Sequence, residues 1–321
     1  MKAYVLQVEG LKLKEINKPL IKSNQVMIAT KAISLNPVDY KVTQGTFDLK
    51  RPITIGIDVA GEIVEIGDNV SSVKLGDRVC AMVNIFETGS FADFVVVDSE
   101  ILTILPSDVS YLDASTIPCA GITAYQAIHE KVNIRSGQTV FITAGGGGVG
   151  GFAIQFAKQR GATVITSASG DFDRIRELGA DYIINYKEED ISTKIMEITQ
   201  GKGVDYFINS ISASDIEKYA AILRFNGSIV GITGIPEKYP FIPFTKAAGI
   251  SEVALVATYN TNDKDSLREV AKAGEQIAEW ISKGEISTNI TTEIRFEQIP
   301  EALEWFERGK TKGKVVVNKE L

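Results

Sequence analysis

The sequence predicts an α/β chain of two domains, one β-rich and the other a doubly wound parallel sheet. Two features carry this reading. Up to about residue 115, short β-branched runs are punctuated by Gly, Pro, Asn and Asp. After Pro118, apolar strands alternate with helix-length segments, which implies βαβ units.

In the first part, strand text lies at 26–32, 61–66 and 94–97. Gly56-Ile57-Asp58-Val59-Ala60-Gly61-Glu62-Ile63-Val64-Glu65-Ile66-Gly67 has period-two apolar spacing with glycines at its turns. That suits a small, bent antiparallel barrel. Strands are then expected at 139–143, 163–166, 182–185, 204–209 and 228–232, with helices between them at 149–160, 172–178, 192–199 and 213–223. A helix at 265–282 precedes strand text at 293–296 and 314–317, which is expected to rejoin the first domain. The expected boundaries are 1–121 with 262–321 for the β-rich domain and 122–261 for the parallel sheet.

Bulk properties exclude several tasks. The chain has 321 residues, 44% apolar and 23% charged, enough for a sizeable core without staples. Two cysteines, Cys80 and Cys119, are too few for a disulfide scaffold and suit a reducing setting. The opening residues read directly into a strand, so a cytoplasmic location is expected. No apolar run reaches a membrane span, and no membrane role is expected. The net charge is −7 with basic residues scattered, which argues against nucleic acid as a partner. A small-molecule task remains.

The central motif is Gly145-Gly146-Gly147-Gly148-Val149-Gly150, a G-x-G-x-x-G pattern between an apolar strand and a helix. Such glycines let the backbone approach a pyrophosphate, whose charge the helix N-terminus stabilises. Gly145, Gly147, Gly148, Val149 and Gly150 are therefore expected to bind a dinucleotide, against the plainer reading of a flexible turn. After the second strand, Ser167-Ala168-Ser169-Gly170-Asp171 places no acid at once, and hydroxyls there can bond a phosphate. This favours NADP (NADPH). NAD stays open, because Asp171 or Asp173 can fold back onto the ribose.

Together with Asn36-Pro37-Val38-Asp39-Tyr40-Lys41, Leu75-Gly76-Asp77-Arg78-Val79, Gly89-Ser90-Phe91-Ala92-Asp93-Phe94, Ala120-Gly121-Ile122-Thr123-Ala124-Tyr125 and Leu178-Gly179-Ala180-Asp181, these segments resemble the zinc-independent quinone oxidoreductase (zeta-crystallin-like) branch of the medium-chain dehydrogenase/reductase superfamily. The resemblance implies a GroES-like catalytic domain, a Rossmann domain and an active site in the cleft between them. The superfamily's alcohol dehydrogenases hold zinc through Cys, His and Cys, at places matching Asn36, Ile57 and Cys119 here. An amide and an aliphatic chain are no zinc ligands, so no metal is expected. Cys119 reads as a small buried residue and His129, the only histidine, as a surface residue. Without a Lewis acid, reduction of quinones or α,β-unsaturated carbonyls is favoured over alcohol oxidation.

The resemblance also implies site residues. Asn36 and Tyr40 are candidates for touching substrate oxygen. Lys41 either reaches the cofactor phosphates or is a solvated lysine. Thr123 looks like the threonine by the nicotinamide, Ser167 and Ser169 lie where the adenosine phosphate belongs, and Tyr186 covers it or simply packs at a strand end. Ser210, Ile211, Gly231 and Thr233 end further strands at the ligand-binding edge, and Lys314 and Asn318 complete the cofactor set. The Arg-Asn pair common among relatives is Gly170-Asp171 here. Relatives also imply a homodimer through the last Rossmann strand, expected at 253–258. Two rivals stay open: an enoyl-thioester reductase of the same fold, and a non-catalytic NADPH-binding sensor.

Overall fold

The computed structural model describes residues 1–261 and 263–321. It divides into two compact units, Thr123–Leu255 and Met1–Ile122 with Val256–Leu321. Residue 262, at one expected boundary, lies outside the described residues.

In the unit Thr123–Leu255, apolar β-branched runs form six strands: β1 (Thr139–Ile142), β2 (Thr163–Ala168), β3 (Tyr182–Asn185), β4 (Val204–Asn209), β5 (Leu223–Gly231) and β6 (Gly249–Glu252). All pair in parallel, in the order β3-β2-β1-β4-β5-β6. Four helices connect the first five strands: α1 (Gly148–Gln159), α2 (Phe172–Glu177), α3 (Ile191–Ile198) and α4 (Ala213–Tyr219). This is the Rossmann arrangement, with its switch point between β1 and β4. Phe141 and Phe207 stack at 5.3 Å in the core beside Ile165, Ile195, Ile216 and Ile229. A strand expected at 253–258 is instead a 3-10 helix, Leu255–Asn260, and the sixth strand lies a few residues earlier. Its pattern misled because two inward-facing residues, Val253 and Leu255, also serve a turn.

Carboxylates anchor the amino edge of this sheet. Asp205 accepts from Thr139 N at 2.9 Å and from Gln138 Nε2 at 2.9 Å, and pairs with Arg224 at 2.8 Å. Asp181 accepts from Val164 N at 2.7 Å and from Lys158 of α1 at 2.9 Å. The carboxyl edge is left to the loops.

The other unit is the GroES-like domain. Its main sheet runs Ile290–Ile294, Lys314–Asn318, Gln25–Leu35, Asp58–Ile66, Arg78–Met82 and Thr103–Ile104, with Phe94–Asp98 also on Gln25–Leu35. The C-terminal strand Lys314–Asn318 pairs antiparallel with Gln25–Leu35, so the chain's end rejoins its beginning. A second sheet holds Gly10–Glu15, Lys2–Gln7 and Ile53–Thr54. Pairing is antiparallel except between Ile290–Ile294 and Lys314–Asn318. The helix Lys264–Ser282 lies so close to the sheet that a Cβ on Gly274 would come within 2.0 Å of Thr103 Oγ1.

His129 corrects its sequence reading. Its ring centroid lies 4.7 Å from that of Tyr125 and 5.4 Å from that of Phe156 on α1, and its Nδ1 accepts from Arg160 Nε at 3.1 Å. The residue is half-buried packing rather than surface. Burial, and then the Arg160 charge, push its pKa down to about 4. The fold thus holds the neutral imidazole, and the stability this contributes is present above pH 6.5 and lost as pH falls toward 4. Because the chain has one histidine, its ring proton resonances report this directly. They are expected to titrate near pH 4 in the folded protein, and a midpoint near 6.5 would refute the packing role.

Candidate active site

The carboxyl edge of the parallel sheet collects most of the residues singled out by sequence. β1 runs out through Thr143 and Ala144, whose φ of 54° is left-handed. The glycines that follow serve close approach rather than backbone angle, since none from 145 to 150 has positive φ. A Cβ on Gly145 would stand 2.2 Å from Thr166 Oγ1, and one on Gly150 would stand 2.2 Å from the Ala144 carbonyl. Gly147 is the N-cap of α1 and brings no capping side chain, so the first-turn N–H groups at Gly148, Val149 and Gly150 are left for a ligand. A twelve-residue helix adds its dipole there. This turn fits a pyrophosphate.

Around it lie Ser167 and Ser169 at the end of β2, Tyr186 after β3, Ser210 and Ile211 after β4, and Gly231 and Thr233 at the end of β5. Ser169, Ile211 and Thr233 are exposed, and the Tyr186 hydroxyl donates to Ser169 Oγ at 3.1 Å. Ser167 is different. It is 1% exposed and its hydroxyl accepts from Ala144 N at 3.4 Å, so it supports the glycine turn from beneath. Thr123, in the short helix Ile122–Tyr125, is also buried. Sequence reading missed Thr143 and Asn209, buried hydroxyl and amide at this same edge. Thr143 Oγ1 accepts from Ser210 N at 2.9 Å, and Asn209 Nδ2 donates to Ser212 O at 2.6 Å. Both sit just where strand text ends, which is the signal that would have found them.

In the GroES-like domain the structure gathers a buried polar cluster. Asn36 caps the helix Pro37–Thr43, with proline at its first turn and the Asp39 carboxylate accepting from Asn36 N at 2.7 Å. The Asn36 amide donates to Asp58 at 2.7 Å and to Ser34 O at 3.1 Å, and its oxygen accepts from Lys314 Nζ at 2.7 Å. Lys314 Nζ also donates to Leu35 O at 3.1 Å, and Asp58 accepts from Cys119 N at 2.9 Å. Asn36 and Lys314 are each 2% exposed. The Asn36 amide, expected to touch substrate oxygen, is engaged inside the protein, and Lys314, expected to complete the cleft, is buried beside Asp58 and Asp39. Burial above all raises Asp39 to about 8 and Asp58 to about 7, and lowers Lys314, which Asp58 opposes. One ammonium balances one carboxylate, so Asp39 keeps its proton near neutrality.

The same cluster lies where the resemblance places the alcohol dehydrogenases' zinc ligands. Ile57 is fully buried and Cys119, in the π-helical turn Ile117–Gly121, is half-buried rather than enclosed as expected. With Asn36 and the Lys314 ammonium beside one thiol, the donor set does not fit a divalent metal. Among the described residues no group of His, Cys, Asp and Glu could hold one.

The remaining candidates of this domain do not join the cluster. Tyr40 and Lys41 are half-buried on the helix Pro37–Thr43. Asn318 lies four residues from Lys314 along the strand, roughly 13 Å away. Its amide donates to Glu293 at 2.7 Å instead.

Residues 22–107 match the model of an alcohol dehydrogenase GroES-like domain, and residues 148–275 match that of a zinc-binding dehydrogenase. The chain is 32% identical to the quinone-oxidoreductase QR1, chloroplastic, of Triphysaria versicolor, over 96% of this chain and 94% of that protein. It is 30% identical to a 2-methylene-furan-3-one reductase of Solanum lycopersicum, over 97% of this chain and 76% of that one. It is 29% identical to the NAD(P)H oxidoreductase RTN4IP1, mitochondrial, of Bos taurus, over 92% and 82% respectively.

The buried carboxyls give the domain a distinctive pH response. A carboxyl raised from 3.8 to about 8 favours the fold in its protonated form, so its contribution is complete in acid and lost as pH rises through about 8. Asp39→Asn keeps the acceptor for Asn36 N and removes the titration. The stability of the wild type relative to this variant is expected to decline between about pH 4 and 8 in denaturant titrations and to level off above that. A pH-independent difference would show that Asp39 is ionised throughout.

Proposed function

Since the chain belongs to the quinone oxidoreductase branch of the medium-chain dehydrogenase/reductase superfamily, we propose that this oxidoreductase uses NADPH to reduce quinones or α,β-unsaturated carbonyls without zinc. The observation that carries the reading is Lys314 Nζ, 2.7 Å from Asn36 Oδ1, at the place where the superfamily's alcohol dehydrogenases coordinate metal. An internal ammonium held by Asn36 and Asp58 leaves no Lewis acid to polarise an alcohol oxygen. Quinones and enones are electrophilic already. The compound in the tomato relative's name is an alkene conjugated to a ketone, which supports the same substrate class.

The nicotinamide, when bound, supplies the hydride. The chain's own part is placement. Gly145, Gly147, Gly148, Val149 and Gly150 cradle the pyrophosphate at the start of α1, and Ser169 and Tyr186 meet the adenosine end. Ser210, Ile211, Gly231 and Thr233 line the same edge toward the nicotinamide, with Thr143 and Asn209 setting the backbone of that edge. Asn36 and Lys314 act as positioning residues for the helix that carries Tyr40 and Lys41.

Two assays test this. Steady-state rates with NADPH are expected on simple quinones and enones, with turnover of ethanol or benzyl alcohol slower by orders of magnitude. Activity is expected to survive chelation. About one zinc per chain, lost together with activity, would overturn the reading, and so would alcohol turnover at comparable rates.

We also infer a homodimer. β6 closes one side of the six-stranded sheet, and among the described residues no strand pairs with its outer side. An unpaired edge is a template for a second copy. Sedimentation of the wild type is expected to give a dimer, and Glu252→Pro, which removes an outward-facing N–H of β6, a monomer; dimerisation undisturbed by that proline would place the interface elsewhere. Two free thiols suit a reducing, cytoplasmic setting, while the relatives' names place those proteins in chloroplasts and mitochondria. No described helix is long and apolar enough to cross a membrane.

A further inference from the structure

The GroES-like domain holds a cleft to which nothing above gives a role. Its volume is about 280 Å³, and it lies between the start of the strand Gln25–Leu35, the loop 84–88, the end of the strand Phe94–Asp98 and the first turn of the helix Lys264–Ser282. The buried side chains of Val96, Val97 and Leu267 give it an apolar side. Three carboxamides also line it, and each is pinned at one end. Gln25 Oε1 accepts from Lys22 N at 3.0 Å, Asn84 Oδ1 accepts from Phe86 N at 3.2 Å, and Asn24 Nδ2 donates to Asp98 at 2.5 Å. Among the described residues, no protein group meets the other ends, the Gln25 and Asn84 amino groups and the Asn24 oxygen, or the hydroxyls of Thr88 and Thr258. The five charged side chains of the cleft are the reverse, since the protein already meets each of them. Lys22 pairs with Glu87 at 3.4 Å and Lys264 with Glu100 at 3.6 Å. Asp98 accepts from Glu100 N at 3.0 Å as well as from Asn24, and Asp263 accepts from Asp265 N at 3.0 Å and Ser266 Oγ at 2.7 Å.

We propose that this cleft binds a small neutral polyol, a sugar ring or a cyclitol. An ion would have to break one of the pairs just described, whereas the groups left open are all uncharged. Hydroxyls both donate and accept. They therefore suit the amino groups of Gln25 and Asn84, the oxygen of Asn24 and the two threonines alike, while the ring's C–H face lies against Val96 and Leu267. An apolar side with a few fixed polar groups is the usual composition of a small-molecule site. Pinning one end of each amide fixes which end is offered, and this lowers the ordering cost of binding. Size agrees: a cavity of roughly 150 Å³ holds benzene, so about 280 Å³ takes a six-membered ring with its hydroxyls. None of the residues around Lys314 lines the cleft, and the inference needs neither the glycine turn nor hydride transfer.

Saturation-transfer NMR on the full chain tests this, with D-glucose and myo-inositol as neutral probes and the monophosphate of each as its charged counterpart. At least one neutral probe is expected to bind saturably, and its monophosphate to bind no more tightly. Gln25→Glu and Asn84→Asp keep the pinned oxygen but replace the open amino group, and each is expected to weaken binding by roughly five- to tenfold. Thr258→Val removes one hydroxyl at nearly the same shape and is expected to weaken it less. Circular dichroism checks that the variants fold; should one not, the other two decide. No saturable binding of either neutral probe would overturn the proposal. A monophosphate that binds more tightly than its parent would make the cleft an anion site and overturn it too. So would an affinity that all the folded variants leave unchanged, because the sugar would then be bound elsewhere.

Discussion

A lysine ammonium withdrawn from water must be met by anionic or carbonyl oxygen, or it loses its proton. Lys314 meets this demand with the Leu35 carbonyl, the Asn36 amide oxygen and the nearby carboxyls of Asp58 and Asp39. These partners come from three elements. Leu35 ends the long strand Gln25–Leu35, Asn36 and Asp39 begin the helix Pro37–Thr43, and Asp58 opens the next strand and also holds the Cys119 turn. Breaking one member leaves the others as buried, uncompensated charge, which is far costlier than the cluster itself. The GroES-like domain therefore adds a buried charged cluster to the strand pairing that closes its C-terminal strand onto its N-terminal half. That cluster is also where the superfamily's alcohol dehydrogenases coordinate metal.

The parallel sheet is arranged on the opposite principle. At its amino edge, Asp205 and Asp181 tie strands and helix together with short charged bonds. At its carboxyl edge, the glycine turn removes side chains, so that Gly150 meets the Ala144 backbone and Gly145 meets the Thr166 side chain. One edge is thus tied by charged bonds, and the other leaves backbone amides bare at the start of α1.

Much of this was legible in the residues. The strand-helix alternation after Pro118, the glycine turn before α1 and the hydroxyls at successive strand ends depend on local pattern and on spacing along the chain, and the structure has them within a few residues of their expected places. Boundaries slipped where local pattern is ambiguous, as at 253–258, where a buried turn and a short strand use the same apolar residues.

What sequence alone determined is the fold class, the family and the place of the glycine turn before α1, because each rests on residues adjacent in the chain whose periodicity or lack of a side chain acts locally. Tertiary structure decided which polar side chains stay open at the carboxyl edge and which serve the interior. Asn36, Ser167 and Lys314 look like site residues in the sequence, yet each is turned inward by a partner more than twenty positions away: Asp58, Ala144 and Asn36. Arg174 and His129 run the other way, an apparently ordinary helix residue brought to the glycine turn and an apparent surface residue packed beneath Tyr125 and Phe156. Hydrogen bonds and burial depend on distance in space, and only the folded chain sets that distance.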